Sequence, residues 1–263
     1  LPRTLHHHVY SYINAPTRLH RLLMRAAGPT CRHLLLSPRM AADFARAYGD
    51  ALPLAVMRNS ITIERSLVDE SRSPRAPNRP DRLTIGFIGR LEAAKGFDDF
   101  LALVERLVHD ERFVFVVAGG GEESEWDRRL DALATRLGHR LDRRGFVGGA
   151  DKRRFFEDID LLIFPSRYRN EASPMVCYEA LAMAVPVFAV EVGAVRDIVD
   201  ESCGTVFARS DDLVERMAGR LEALAAEPSG AADLSAGAAE RFAELSAAGE
   251  AEYRRLCESF AGR

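Results

Sequence analysis

The chain has 263 residues, 47% of them hydrophobic, with a formal net charge of −3, so it can bury the core of one full domain and part of another. Its longest charge-free apolar stretch, Ala180 to Val190, is interrupted by Pro186 and falls far short of the roughly 20 residues that a membrane-spanning helix needs. The four cysteines, Cys31, Cys177, Cys203 and Cys257, lie far apart without a CxxC pair, which excludes a zinc-site or disulfide-scaffold signature and leaves four buried thiols as the expectation.

Leu1 opens a segment without the charged, apolar and small-residue succession of a signal peptide, so a cytoplasmic location is expected. His6, His7 and His8 read as an exposed terminal run, because three adjacent residues cannot all face one ion in regular structure. The amino-terminal end is basic: six arginines, Arg3 to Arg39, precede the first acid, Asp43. A helix is expected over Thr17 to Ala27, with Leu19, Leu22, Leu23 and Ala26 on one face and Arg18, Arg21 and Arg25 elsewhere. That apolar face is expected to dock on its own domain or on further protein; peripheral contact with an anionic membrane is the alternative. A strand at His33 to Ser37, a helix at Met40 to Tyr48 and a strand at Leu54 to Met57 follow. Two strands cannot close an independent sheet. Residues 1–71 therefore read as a remnant, and the proline- and arginine-rich residues 72–82 as a linker.

From residue 83 short apolar runs alternate with amphipathic stretches, the pattern of strand–helix units and a parallel sheet. Strands are predicted at Leu83–Ile88, Phe113–Ala118, Gly145–Val147, Leu161–Phe164, Pro186–Val190 and Thr205–Phe207. Helices are predicted near Gly96–His109, Glu123–Leu137, Asp151–Asp158, Pro174–Ala184 and Ala194–Val199. The expected fold is α/β, a doubly wound parallel sheet over residues 83–247, followed by a loop near Pro228–Gly230 and a last helix in residues 248–263. Only two lysines, Lys95 and Lys152, occur among the 36 lysine and arginine residues, so each is a candidate for a role that arginine does not fill.

The first strand runs into Gly89-Arg90-Leu91, and Lys95-Gly96 stands just before a helix. A strand, a turn and a helix N-terminus present backbone N–H groups and a helix dipole to a phosphate, and Arg90 and Lys95 would add two full charges. The second strand ends in Gly119-Gly120-Gly121-Glu122, which lets backbone approach a ligand but lacks the GxGxxG spacing of a dinucleotide site. In Phe164 to Glu179, Ser173 is expected to cap a helix that begins at Pro174. Glu171 and Glu179 then flank one positive helix end, which suits a ligand with an anionic centre and hydroxyls on both sides. A glutamate that complements the helix dipole at its N-terminus, plus a surface glutamate, fits the same segment equally well.

Taken together, these stretches, with Gly145-Phe146-Val147-Gly148, Phe164-Pro165-Ser166, and Ala182 to Pro186 followed by Gly193, resemble the retaining glycosyltransferases of the GT-B fold. That family includes sucrose synthases, glycogen synthases and bacterial mannosyl- and glucosyltransferases. The likeness runs in order and at family spacing over residues 54 to about 207. It implies a Rossmann-like, nucleotide-sugar-binding C-terminal half preceded by a truncated acceptor-side domain. It further implies that Arg90 and Lys95, beside Gly89 and Gly120, grip the donor diphosphate, and that Glu179 holds the ribose hydroxyls. Glu171 would stand beside the donor sugar, the backbone of Ala172, Ser173, Pro174 and Met175 would bind sugar hydroxyls and phosphate, and Phe146 and Val147 would lie at the nucleobase. Glu171, Arg90 and Lys95 would carry the transfer, the leaving diphosphate itself assisting acceptor deprotonation.

The implied reaction is transfer of a hexose from a UDP- or GDP-sugar to a carbohydrate or lipid-linked acceptor, without metal or cofactor. A missing amino-terminal half or partner chain would complete the site, peripheral contact at the inner membrane face is compatible with it, and no nucleic-acid partner is implied. Asn59-Ser60-Ile61, Ala184 and Gly193-Ala194 depart from the family's usual glycine-bearing forms. Two other readings stay open: a nucleotide-sugar-binding module without turnover, and a sugar-nucleotide epimerase, which would not be expected to carry the Arg90, Lys95, Glu171 and Glu179 set.

Overall fold

The structure, a computed structural model, describes residues 3–64, 66–68, 77–78, 81–120 and 125–261. The predicted linker falls mostly outside these residues, as do Gly121 and Glu122 of the glycine run. The chain forms two parallel sheets. In the smaller, β1 (Arg3–His6), β2 (Cys31–Leu35) and β3 (Leu54–Val56) pair in that order. In the larger, β4 (Leu83–Ile88), β5 (Phe113–Ala118), β6 (Leu141–Gly145), β7 (Leu161–Phe164), β8 (Val187–Val190) and β9 (Gly204–Phe207) lie in the order β6-β5-β4-β7-β8-β9. This is the doubly wound arrangement, with its switch point between β4 and β7, where loops leaving the strand ends part to either side.

Alternation along the strands builds the core on both faces of the larger sheet. Ile85, Phe87, Phe113 and Phe115 meet Phe97, Phe100, Leu103 and Leu107 of α4 (Phe97–Leu107) on one face. Val116, Leu162 and Ala189 meet Phe155 and Phe156 of α6 (Gly149–Asp158) and Tyr178 and Leu181 of α7 (Met175–Ala182) on the other. The helix α5 (Glu125–Leu137) adds Leu130 and Leu133, and α9 (Leu213–Ala226) adds Met217 and Leu221 to the first face, while the short α8 (Val195–Ile198) adds Val195 and Ile198 to the second.

Several expectations are corrected. The third strand of the larger sheet was expected at Gly145–Val147, whereas β6 is Leu141–Gly145 and carries Asp142, Arg143 and Arg144; as an edge strand it needs no apolar run. The amino-terminal unit has three strands, not two, because β1 is an edge strand exposed along its whole length and leaves no apolar signal. His7 is buried rather than in an exposed run. Its ring stacks on His33, with Nε2 3.0 Å from His33 Nδ1 and Nδ1 2.6 Å from the Tyr12 hydroxyl. Cys31, Cys177 and Cys203 are buried, but Cys257 is exposed. On α2 (Arg18–Ala27), capped by Thr17, Leu19, Leu22 and Leu23 are 54–62% exposed, so the apolar face does not dock on its own domain.

Pro228 starts a helix instead of marking a loop: α10 (Pro228–Ala261) runs unbroken through the boundary expected at residue 248. Proline suits the first turn of a helix, where its missing N–H has no intrahelical partner. This helix spans both units. Ser60 Oγ donates to the Leu245 carbonyl at 2.8 Å, Arg58 pairs with Glu252, and Arg32 reaches Ser259 and lies 5.6 Å over the Phe260 ring. The smaller unit packs α1 (Ser11–Asn14) and α3 (Pro38–Tyr48) around Tyr10, Ile13, Leu35, Met40 and Phe44, and its core closes on Ala172 of the larger unit.

Candidate functional site

The loops leaving β4 and β7 at the switch point carry most of the residues singled out in the sequence. After β4 a short 3-10 turn, Ala93–Lys95, leads to Gly96, which adopts φ 71°, ψ 24° and hands the chain to α4. A Cβ on Gly96 would lie 1.9 Å from the Pro165 carbonyl oxygen, so glycine is required both by conformation and by the approach of the loop after β7. That loop is held in turn: Arg167 N donates to the Ala94 carbonyl at 2.9 Å, and Asp99, at the start of α4, binds both Arg167 (2.9 Å) and Arg209 (3.4 Å). Arg209 also donates to the Ser166 carbonyl at 3.0 Å.

This clamping brings Lys95 to Glu171. Lys95 Nζ donates to Glu171 Oε2 at 3.1 Å and sits 5.3 Å over the Tyr168 ring, with both charged side chains largely buried. Glu171 N donates to the Tyr168 carbonyl at 2.9 Å, which fixes the base of its side chain. Gly193, at φ 51°, packs so tightly behind it that a Cβ would meet the Glu171 carbonyl oxygen at 1.9 Å.

The second carboxylate has a partner that the sequence left outside the site. Lys152, on α6, donates to Glu179 Oε1 at 2.6 Å. Both lysines of the chain are thus paired with the two glutamates of the site. The rarity of lysine was the available signal for Lys152; what was missing was any local link between residues 27 positions apart. Cys177, between the two glutamates in sequence, is fully enclosed, and burial pushes its thiol up, the nearby Glu171 charge adding to the shift, so it stays protonated.

Ser173 does not cap the helix. Pro174 occupies the cap position of α7, and the Ser173 hydroxyl turns inward, 3.5 Å from the Tyr178 hydroxyl. The Ser173 carbonyl accepts from Asn59 Nδ2 at 3.1 Å, and the Ala172 carbonyl from Ala194 N at 3.0 Å. With these carbonyls tied back and Cys177 N donating to the Pro174 carbonyl at 3.2 Å, the N–H groups of Met175 and Val176 form the positive end of α7, four residues beyond Glu171.

Other predicted residues sit farther out. Arg90 is 74% exposed and pairs with Glu92 at 3.1 Å. Gly89 N donates to the Ala118 carbonyl at 3.0 Å, and the Gly120 carbonyl accepts from Leu91 N at 3.3 Å, so the turns after β4 and β5 are laced together. Phe146 is 90% exposed, while Val147 packs against the core face that includes Phe155. The smaller unit overhangs the loop after β7: Tyr10 N donates to the Asn170 carbonyl (3.3 Å) and Asn14 Nδ2 to the Arg169 carbonyl (2.8 Å). Among the described residues, no group of three or more His, Cys, Asp or Glu side chains is disposed to hold a metal ion.

The arrangement offers an anion a lysine, a helix N-terminus and turn backbone, and offers hydroxyls two oriented carboxylates. Residues 82–227, more than half of the chain, match the family described as Glycosyl transferases group 1. The chain is 34% identical over 162 residues to the D-inositol 3-phosphate glycosyltransferase of Xylanimonas cellulosilytica, covering 60% of this chain and 37% of that protein. It is 29% identical over 121 residues to an uncharacterized glycosyltransferase of Methanocaldococcus jannaschii, covering 45% of this chain and 30% of that one. The chain thus spans well under half the length of the curated relatives it matches. Among solved structures, HepE of Anabaena in complex with UDP superposes with a TM-score of 0.75 at 18% identity, covering all of this chain and 72% of that one.

Proposed function

Because the chain belongs to the glycosyl transferases group 1 family, we propose that it binds the donor in a retaining transfer of a hexose from a UDP- or GDP-sugar to an acceptor hydroxyl. The observation that carries this reading is the Lys95–Glu171 pair set beside the N-terminus of α7 at the switch point. Lys95 and the helix end would meet the diphosphate, whose charge grows as the bond to the sugar breaks, so they act most strongly in the transition state. Glu171 would hold a sugar hydroxyl, Glu179 the ribose, and the exposed ring of Phe146 the base; Arg90 would swing from Glu92 to the outer phosphate. The base seen in HepE favours UDP among the two nucleotides.

The acceptor side rests on the smaller unit together with protein or lipid beyond it, the exposed leucines of α2 marking that boundary. No described helix is long and apolar enough to cross a membrane. Within this reading the chain is cytoplasmic, and its acceptor is a carbohydrate or a lipid-linked sugar.

Lys95→Ala is expected to weaken binding of UDP or GDP by about 1.5 to 3 kcal/mol, or roughly ten- to a hundredfold, measured by calorimetry. Arg90→Ala should cost less, since an exposed cation is screened by water. Unchanged affinity in Lys95→Ala would remove the phosphate role. Product analysis with UDP- and GDP-hexoses separates transfer from hydrolysis, from isomerised donor, and from binding without turnover.

A further inference from the structure

The chain uses arginine almost everywhere that it needs a cation, yet both carboxylates of the site are met by lysine. The chemical difference between the two cations is geometric. A guanidinium presents a planar fork that takes both oxygens of a carboxylate at once, whereas an ammonium is a compact donor that engages one. Lys152 Nζ lies 2.6 Å from Glu179 Oε1, with the two side chains 24% and 11% exposed. A carboxylate held through one oxygen keeps the other, with its lone pairs, for further donors.

The elements that carry this pair span the site. Lys152 stands in the first turn of α6, directly after the Phe146–Gly148 loop, and Glu179 stands one turn into α7, behind the helix end that faces the diphosphate. The ion pair therefore joins the base side of the donor to its phosphate side, where the ribose of a nucleotide must lie.

We propose that Lys152 is a positioning residue for donor binding: it fixes Glu179 through Oε1 alone and leaves Oε2 for the ribose hydroxyls. This rests on the ribose role of Glu179 proposed above. A lysine that served only to tie α6 to α7 would be replaceable by arginine without consequence for the ligand, and the bidentate fork would tie the helices at least as well.

The test uses Lys152→Arg and Lys152→Met in the full chain, with UDP, GDP and their 2′,3′-dideoxy counterparts as probes in calorimetry, and thermal unfolding alongside. The wild-type protein is expected to bind the ribonucleotide about tenfold more tightly than the dideoxy form, the worth of hydroxyls donated to a carboxylate. In Lys152→Arg the thermal midpoint and the dideoxy affinity should stay as in the wild type, while that ratio falls to about two as both oxygens are taken. Lys152→Met should lose the ratio by releasing Glu179, whatever it does to stability. A full ratio in Lys152→Arg overturns the positioning role and leaves a structural tie. A wild-type ratio near one overturns the ribose role of Glu179 itself, and with it that of Lys152. Failure of both ribonucleotides to bind overturns the donor reading as a whole.

Discussion

The two sheets of this chain are both parallel, yet they meet their surroundings in opposite ways. In the larger sheet β4, β7 and β8 are buried on both faces, and the charged residues gather where the strands end. In the smaller sheet β1 is exposed throughout, and α2, which lies between β1 and β2 in the chain, turns three leucines outward. Parallel sheets are normally covered on both faces because their crossovers place helices there. The larger unit satisfies that rule mostly with its own helices, Ile63 and Leu67 adding to one face. The smaller one satisfies it only in part, and is held from outside by Ala172 and by α10. The proposed donor site accordingly lies mainly within the larger unit, whereas the surface of the smaller unit depends on neighbours.

The contrast is broken most directly at Gly96. A methyl group there meets the Pro165 carbonyl at 1.9 Å in a left-handed backbone, so Gly96→Ala should destabilise the larger unit by about 3 kcal/mol. Urea unfolding followed by the fluorescence of Trp126, on α5 in this unit, measures it. A loss under about 0.5 kcal/mol would mean that the loops after β4 and β7 are not locked together.

Acid should act on the other unit. Burial lowers the His7 imidazole to about 4, with the neighbouring His33, His6 and His8 adding to the shift, and burial lowers His33 as well. The folded state thus disfavours the cation that the unfolded chain accepts near pH 6.5. The stabilisation is present in full above that value and is lost as pH falls from about 6.5 towards 4, by roughly 2 kcal/mol. Hydrogen exchange should show β1 and β2 losing protection over this range while β4, β5 and β7 keep theirs. Equal loss in both sheets would remove the distinction.

A smaller gain is expected at Ala184, which holds φ 55° at the turn after α7, where its carbonyl also accepts from Ser235. Ala184→Gly relieves the left-handed strain but adds freedom to the unfolded chain, for a net gain of about 0.5 to 1 kcal/mol and a rise of about 2 °C in the thermal midpoint. A lowered midpoint would refute this. The smallest effect belongs to the outward leucines. Leu19→Ser with Leu22→Ser should change the stability of this chain by no more than about 0.5 kcal/mol, as measured by the same unfolding curves. Sedimentation with neutral and anionic vesicles then sharpens the contrast: binding to anionic vesicles that the double variant loses would assign this face to lipid, and equal partition would assign it to protein.

The strands β4, β5 and β7 were legible to the residue, because a strand buried on both faces must be an uninterrupted apolar run. The edge strands β1 and β6 were not, since a half-solvated strand tolerates Arg, Asp and His and carries no pattern to read. The glycines around the site were visible as residue types, and Lys95, Glu171 and Glu179 were singled out, because turns and helix ends constrain their own local sequence.

Sequence by itself determined the α/β class, the order of the strand–helix units and the presence of a glycine-bearing turn before α4, all of which follow from periodicity and local backbone needs. Only the tertiary structure decided which cation meets which carboxylate. Lys95 finds Glu171 across 76 residues because β4 and β7 are sheet neighbours, and Lys152 finds Glu179 because α6 and α7 pack on one face. Likewise, His7 is buried because β2 lies beside it, and the leucines of α2 are exposed because nothing in the described chain covers them. Those outcomes depend on pairings between distant segments, which a linear sequence encodes only through the whole fold.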